Sequence, residues 1–138
     1  MINHWVMDYL GAPWSPGADG PDFYDCWGLV RAVYRDRYGV DLPVIPADAT
    51  SPLEIRRAMT DERHRVGWDA IPYPVDRSVA LMSHGKIPHH IGIVVNVGSL
   101  QMLHSVEGHG VVLQSMRDLE LHGWNIQEFC RLSDARDG

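Results

Sequence analysis

Midway along the chain the apolar residues change their spacing, from helical to strand-like. From Cys26, the residues Leu29, Val30, Val33 and Tyr34 fall three and four apart, which predicts an amphipathic helix. Gly11, Pro13, Pro16, Gly17, Gly20 and Pro21 break any regular element upstream, so the helix starts at or just before Cys26 with Asp25 as its N-cap. Ser51-Pro52-Leu53-Glu54 has capping-box spacing with proline at the first helical position, and predicts a second short helix through residue 59. After the interruption at Pro72-Tyr73-Pro74, residues 79–82 form a short apolar run and 91–95 a run rich in β-branched side chains. Residues 100–104 and 110–114 follow after turn residues, and 126–132 alternate as a last strand with Ile126, Glu128, Cys130 and Leu132 on one face. Asn96-Val97-Gly98-Ser99 and Glu107-Gly108-His109-Gly110 read as tight connections, so the second half is an antiparallel meander.

With 138 residues, 45% hydrophobic content and no internal repeat, the chain supports one core. The fold class expected is therefore α+β, as a single domain over 1–138 with N-terminal helices packed on an antiparallel sheet. The net charge of −6, from 12 basic and 18 acidic residues, comes with no basic stripe and argues against a nucleic-acid partner. Arg31, Arg35 and Arg37 fall mostly on one side of the cysteine helix and read as a solvated face. No stretch is apolar for long enough to span a bilayer, and residues 1–5 have neither a basic start nor a long apolar region, so no membrane partner and no signal peptide are expected. Two widely separated cysteines make no disulfide framework, which fits synthesis in a reducing cytoplasm.

The position of Cys26 bears on chemistry. Backbone N–H groups and the positive end of the helix dipole lie where a helix begins, so a thiolate is favoured there, its pKa should fall, and the same N–H groups can hold an oxyanion. The other meaning of a free cysteine is a small buried hydrophobe, and the local pattern leaves both open. A base must come from elsewhere. Five of the eight histidines, His84, His89, His90, His104 and His109, fall within one segment of the strand-rich half. Period-2 alternation puts His90, Gly92 and Val94 on one face of their strand, and glycine beside His90 admits close approach of another backbone or a helix end. Met102 and His104 share a face of the next strand, and antiparallel pairing would set His104 beside His90. Cysteine, imidazole and a second polar group that orients the imidazole form a generalised triad. His89 reads as a solvated flank, His84 and His109 as loop residues, and Cys130 as structural. The spacings match neither HExxH nor paired CxxC motifs, so no metal and no cofactor are expected.

Asp25-Cys26-Trp27-Gly28-Leu29-Val30, His90-Ile91-Gly92-Ile93-Val94 and Met102-Leu103-His104-Ser105 resemble, in order, the three motif blocks of the NlpC/p60 cell-wall peptidases. Leu10-Gly11-Ala12-Pro13-Trp14 is similar to the segment before that family's cysteine loop, and the resemblance extends over residues 9–132. It implies a papain-like fold with Cys26 as nucleophile, His90 as general base and His104 as the residue orienting His90. Trp14 takes the place of an aromatic, commonly tyrosine, that lines the family's active site, and with Asp25 and Trp27 it is expected to line the substrate groove. The family's Asp-Cys-Ser-Gly is here Asp-Cys-Trp-Gly, which together with residues 31–43 most resembles the branch found in tailed phages and prophages. The implied substrate is the stem peptide of peptidoglycan, most often at the bond between D-glutamate and a diamino acid. The implied partners are phage tail proteins, which would deliver the enzyme to the wall from the virion tail. The alternatives are a catalytically silent structural tail component, or a related cysteine amidase or acyltransferase.

Overall fold

The computed structural model describes residues 4–42, 67–85 and 89–132. Six strands form one sheet: β1 (Trp68–Ile71), β2 (Val79–Ser83), β3 (His90–Asn96), β4 (Leu100–Val106), β5 (Gly110–Ser115) and β6 (Asn125–Leu132). Their order is β1-β6-β2-β3-β4-β5, with antiparallel pairing throughout. The meander from β2 to β5 is the one expected. The turn between β3 and β4 closes through Gly98 N–H, which donates to Asn96 Oδ1, with Gly98 at φ 103°, a conformation that glycine adopts without strain. What local pattern did not foretell is that β6 returns to the middle, between β1 and β2.

Helix α1 (Cys26–Val33) packs against β3 and β4. Asp25 caps it as the sequence predicts, accepting a 2.6 Å hydrogen bond from Gly28 N–H. The helix runs on into a wide π-helical turn, Tyr34–Tyr38, and stops at Gly39 in the left-handed conformation. Helix α2 (Met116–Leu121), capped by Ser115, and a 3-10 turn at Trp5–Asp8 complete the described elements. The helix expected through residue 59 falls outside the described residues.

Both faces of the sheet are covered, which explains why β2 reads as an unbroken apolar run rather than an alternating one. On one face Val79, Leu81, Ile91, Ile93, Val95, Leu103 and Cys130 pack with Leu29, Val30 and Val33 of α1. On the other, Ala80, Met82, Val94 and Met102 pack under Leu119 of α2 and Trp124. Each fully buried large aliphatic residue contributes roughly 1.5–3 kcal/mol.

Two expectations change here. A register shift between Leu81 and Met82 against β6 breaks the alternation of β6, so Ile126 joins the α2 face while Cys130 stays on the α1 face. Arg31 is not solvated. Its guanidinium lies 2.6 Å from Asp19 and donates to the Leu42 carbonyl, tying the glycine- and proline-rich loop to α1, whereas Arg35 and Arg37 make exposed ion pairs with Asp36 and Asp8.

Candidate active site

The loop before Cys26 is held by its backbone and by one carboxylate. Asp25 N–H donates to Ala18 O, Tyr24 N–H to Pro13 O, and Ser15 N–H to Tyr24 O. The second Asp25 oxygen accepts from Gly17 N–H at 2.7 Å. Ser105 on β4, beside His104, donates its hydroxyl to Tyr24 O at 2.7 Å and so fixes the loop to the sheet. Gly28 has no room for a side chain, because a β-carbon there would overlap the Ala18 carbonyl.

At the start of α1, Leu29 N–H is taken by Asp25 O and Gly28 N–H by the Asp25 side chain. That leaves the N–H groups of Cys26 and Trp27, which with Ile91 N–H of β3 donate toward the Cys26 sulfur. The sulfur is enclosed although the residue as a whole is half-buried. The expected fall in thiol pKa is therefore reversed: burial, with the neighbouring Asp25 carboxylate adding to it, pushes the thiol up to about 12 against those three N–H groups. At rest the Cys26 side chain is a neutral thiol.

β3 and β4 pair with Val94 opposite Met102, and continuing that register brings His90 diagonally across from His104. His90 Nε2 lies 2.8 Å from His104 Nδ1, as period-2 reasoning anticipated. The room at Gly92 is filled by Met102 and the His104 β-carbon, not by another backbone or a helix end. His90 is 6% exposed and His104 wholly buried. Trp124 stacks on the His90 ring at 4.5 Å and meets His104 edge-on, screening the pair from water. Burial holds His90 well below the ordinary imidazole range, helped by repulsion from His104, and lowers His104 to about 4. Both rings are therefore neutral at neutral pH, each with one nitrogen lone pair.

Two members of the arrangement escaped sequence reasoning. Gln114, at the end of β5, places Oε1 2.7 Å from His104 Nε2. The signal was a polar residue closing an apolar strand, which acquires meaning only from the register that pairs Met102 with Gln114. Trp124 is the other. It also stacks 3.6 Å from the His84 ring, so His84 is not a free loop residue, and half-buried His89 flanks the same indole. A cavity of about 330 Å³ opens beside Trp124 and Gln114, lined also by His84, His109 and His122. Among the described residues no three metal-ligating side chains are grouped to hold an ion.

The expected groove residues fare differently. Trp27 is 8% exposed and packs in the core with Leu29 and Val30, so it presents little surface to a substrate. Both Asp25 oxygens are spent on backbone N–H groups, which makes the residue a clamp. Trp14 is half-buried and bridges Tyr24 along the cysteine loop.

Stability should follow the buried rings. A folded-state pKa depressed below the unfolded value of about 6.5 contributes stability that is present above that pH and lost as pH falls through the folded value of about 4. At about 1.4 kcal/mol per pH unit of displacement, His104 alone removes roughly 3 kcal/mol over that window. Urea unfolding between pH 7 and pH 4 should show the loss, and His104→Asn should flatten it while lowering stability at pH 7. Parallel curves for the two proteins would refute the assignment.

A helix N-terminus carrying a cysteine, laid against an antiparallel sheet that supplies paired imidazoles, defines an α+β protein of the papain-like cysteine-peptidase type. The NlpC/P60 family profile matches residues 11–127, and the chain belongs to that family. It is 23% identical over 111 residues to the murein DD-endopeptidase MepS/murein LD-carboxypeptidase of Escherichia coli K12. That match covers 80% of this chain and 51% of the relative, so the chain spans about half the length of the curated relatives it matches. Among solved structures, the NlpC/p60 domain of the peptidoglycan hydrolase SagA aligns at TM-score 0.57 and 18% identity, covering 93% of this chain and 92% of that one. NlpC1 from Trichomonas vaginalis aligns at TM-score 0.62 and 21% identity, covering 91% and 41% respectively. At these identities the structures speak for the fold.

Proposed function

We propose that the protein is a cysteine peptidase that hydrolyses peptidoglycan stem peptides, with Cys26 as nucleophile, His90 as general base and His104 as the orienting residue. The observation that carries this reading is the hydrogen-bonded pair of neutral, buried imidazoles whose first member adjoins Ile91, the residue whose N–H reaches the Cys26 sulfur. Because thiol and imidazole are both neutral at rest, His90 removes the thiol proton as the sulfur attacks the peptide carbonyl. The N–H groups of Cys26 and Trp27 are placed for the oxyanion of the tetrahedral intermediate. The imidazolium then protonates the leaving amine, and water, deprotonated by His90, releases the acyl group from the thioester.

The bond between D-glutamate and a diamino acid is the preferred scissile bond, as the motif blocks around Cys26, His90 and His104 suggest, and the murein activities of the curated relatives support a wall substrate. Delivery by a phage tail is the natural setting for a chain that carries Trp27 after the nucleophile. The enclosed thiol favours one second reading, a silent structural tail protein that keeps the fold without turnover. Mass spectrometry of products from defined muropeptides tests both. The expected result is a free diamino-acid amine on one fragment and a D-glutamyl γ-carboxyl on the other. An inert wild-type protein whose Cys26 also resists alkylation would establish the silent reading instead, and cleavage at the sugar-proximal amide would make it an amidase.

A further inference from the structure

We propose that Gln114 is a positioning residue that sets which nitrogen of His104, and through it of His90, carries the proton; the proposal rests on the catalytic reading of those histidines given above. A carboxamide oxygen only accepts hydrogen bonds, so His104 Nε2, 2.7 Å from Gln114 Oε1, must be the protonated nitrogen. A neutral imidazole carries one N–H, which leaves His104 Nδ1 with a lone pair. His90 Nε2, 2.8 Å from that lone pair, must then donate. His90, neutral as well, is left with its lone pair on Nδ1, the nitrogen not engaged by His104 and the one able to take the thiol proton. One acceptor atom on β5 therefore decides, two rings away, that the base is a base.

Glutamine is also the member of this chain that could invert it. Turning its NH₂ toward His104 would reverse each step and put a proton on His90 Nδ1, so that the thiol faced a donor. When His90 takes the thiol proton, its Nε2–H stays on Nε2 and donates to His104 Nδ1. The His104 Nε2–H still donates to Gln114, and no proton leaves the relay. A histidine held in the wrong tautomer is a poor general base even when its position is correct.

The test reads tautomers directly. In the ¹⁵N-labelled full chain near neutral pH, long-range ¹H–¹⁵N NMR should show His90 and His104 both as neutral Nε2–H tautomers. Gln114→Leu should populate the Nδ1–H tautomer of His90 and lower kcat by about 10- to 100-fold, part of what general-base catalysis supplies as a whole, with KM within about twofold. Alkylation of Cys26 by iodoacetamide should slow in parallel. Gln114→Glu, whose carboxylate also only accepts, should keep the tautomers and most of kcat. An Nδ1–H tautomer at His90 in the wild type would overturn the proposal, as would wild-type tautomers together with wild-type kcat in Gln114→Leu. Should Gln114→Leu fail to fold, the wild-type spectrum and the Gln114→Glu protein decide. A wild type that cuts no muropeptide, yet shows these tautomers and a Gln114-dependent alkylation rate, supports the proposal and removes the peptidoglycan reading alone.

Discussion

Cys26→Ala is expected to release no measurable fragment from purified peptidoglycan, a loss of at least about 10⁴-fold, while folding almost as well as the wild type. The size of the effect follows from the resting charges. With thiol and imidazoles all neutral, the proposed mechanism moves one proton from sulfur to His90, and without the sulfur His90 would have only water to activate. The N–H groups of Cys26 and Trp27 remain in the variant, so substrate binding should persist and the loss should appear in kcat. Removing one sulfur from a half-buried residue costs folding about 1 kcal/mol, so a melt within a few degrees of the wild type separates chemistry from collapse. His104→Ala should lose less, since orientation contributes less than the nucleophile, and should keep some turnover. Cleavage by Cys26→Ala above a tenth of the wild-type rate would sink the assignment, because the proposed mechanism has no nucleophile without that sulfur.

Which parts of this site were legible in the sequence depends on how local their causes are. The Asp25 cap is a contact over three residues, so residue type and spacing announce it. His90 and His104 share a face by period-2 geometry, and one short turn brings them together. Gln114 and Trp124 needed the register of β5 and the return of the chain after α2, neither of which any local window contains. The thiol pKa shows the competition most plainly: the helix dipole, a local effect, argued for a fall, and tertiary enclosure beside Asp25 overrode it. Trp27 follows the same logic. Its neighbour on the chain is the proposed nucleophile, but its place on the helix turns it to the core, where Leu29 and Val30 also lie. The swap at β6 was hidden because a bulge moves Ile126 to the face opposite Cys130.

Gly28→Ala should be the most destabilising glycine-to-alanine change among the described residues, costing roughly 3–5 kcal/mol and with it the activity. Alanine is ordinarily the better helix former by about 1 kcal/mol, so the sign rests wholly on packing. At Gly28 the new β-carbon would overlap Ala18 O and stand 2.8 Å from both the Ala18 carbonyl carbon and Asp25 Oδ1. Two of these neighbours are backbone atoms of a loop that cannot yield freely, since Asp25 N–H is bonded to that same Ala18 oxygen and Gly17 N–H to the Asp25 carboxylate. Relief therefore requires the loop to leave α1, which breaks the helix cap and shifts the Cys26 and Trp27 N–H groups that the oxyanion needs. Urea unfolding should give a lower midpoint at unchanged slope, and any folded fraction should have lost kcat. Gly92→Ala is the control. There the closest atom is Met102 Sδ at 2.7 Å, the far part of a flexible side chain that can swing aside, so the cost should be about 1–2 kcal/mol. Equal destabilisation by the two substitutions would mean that the loop at Ala18 is not the rigid partner that its hydrogen bonds imply.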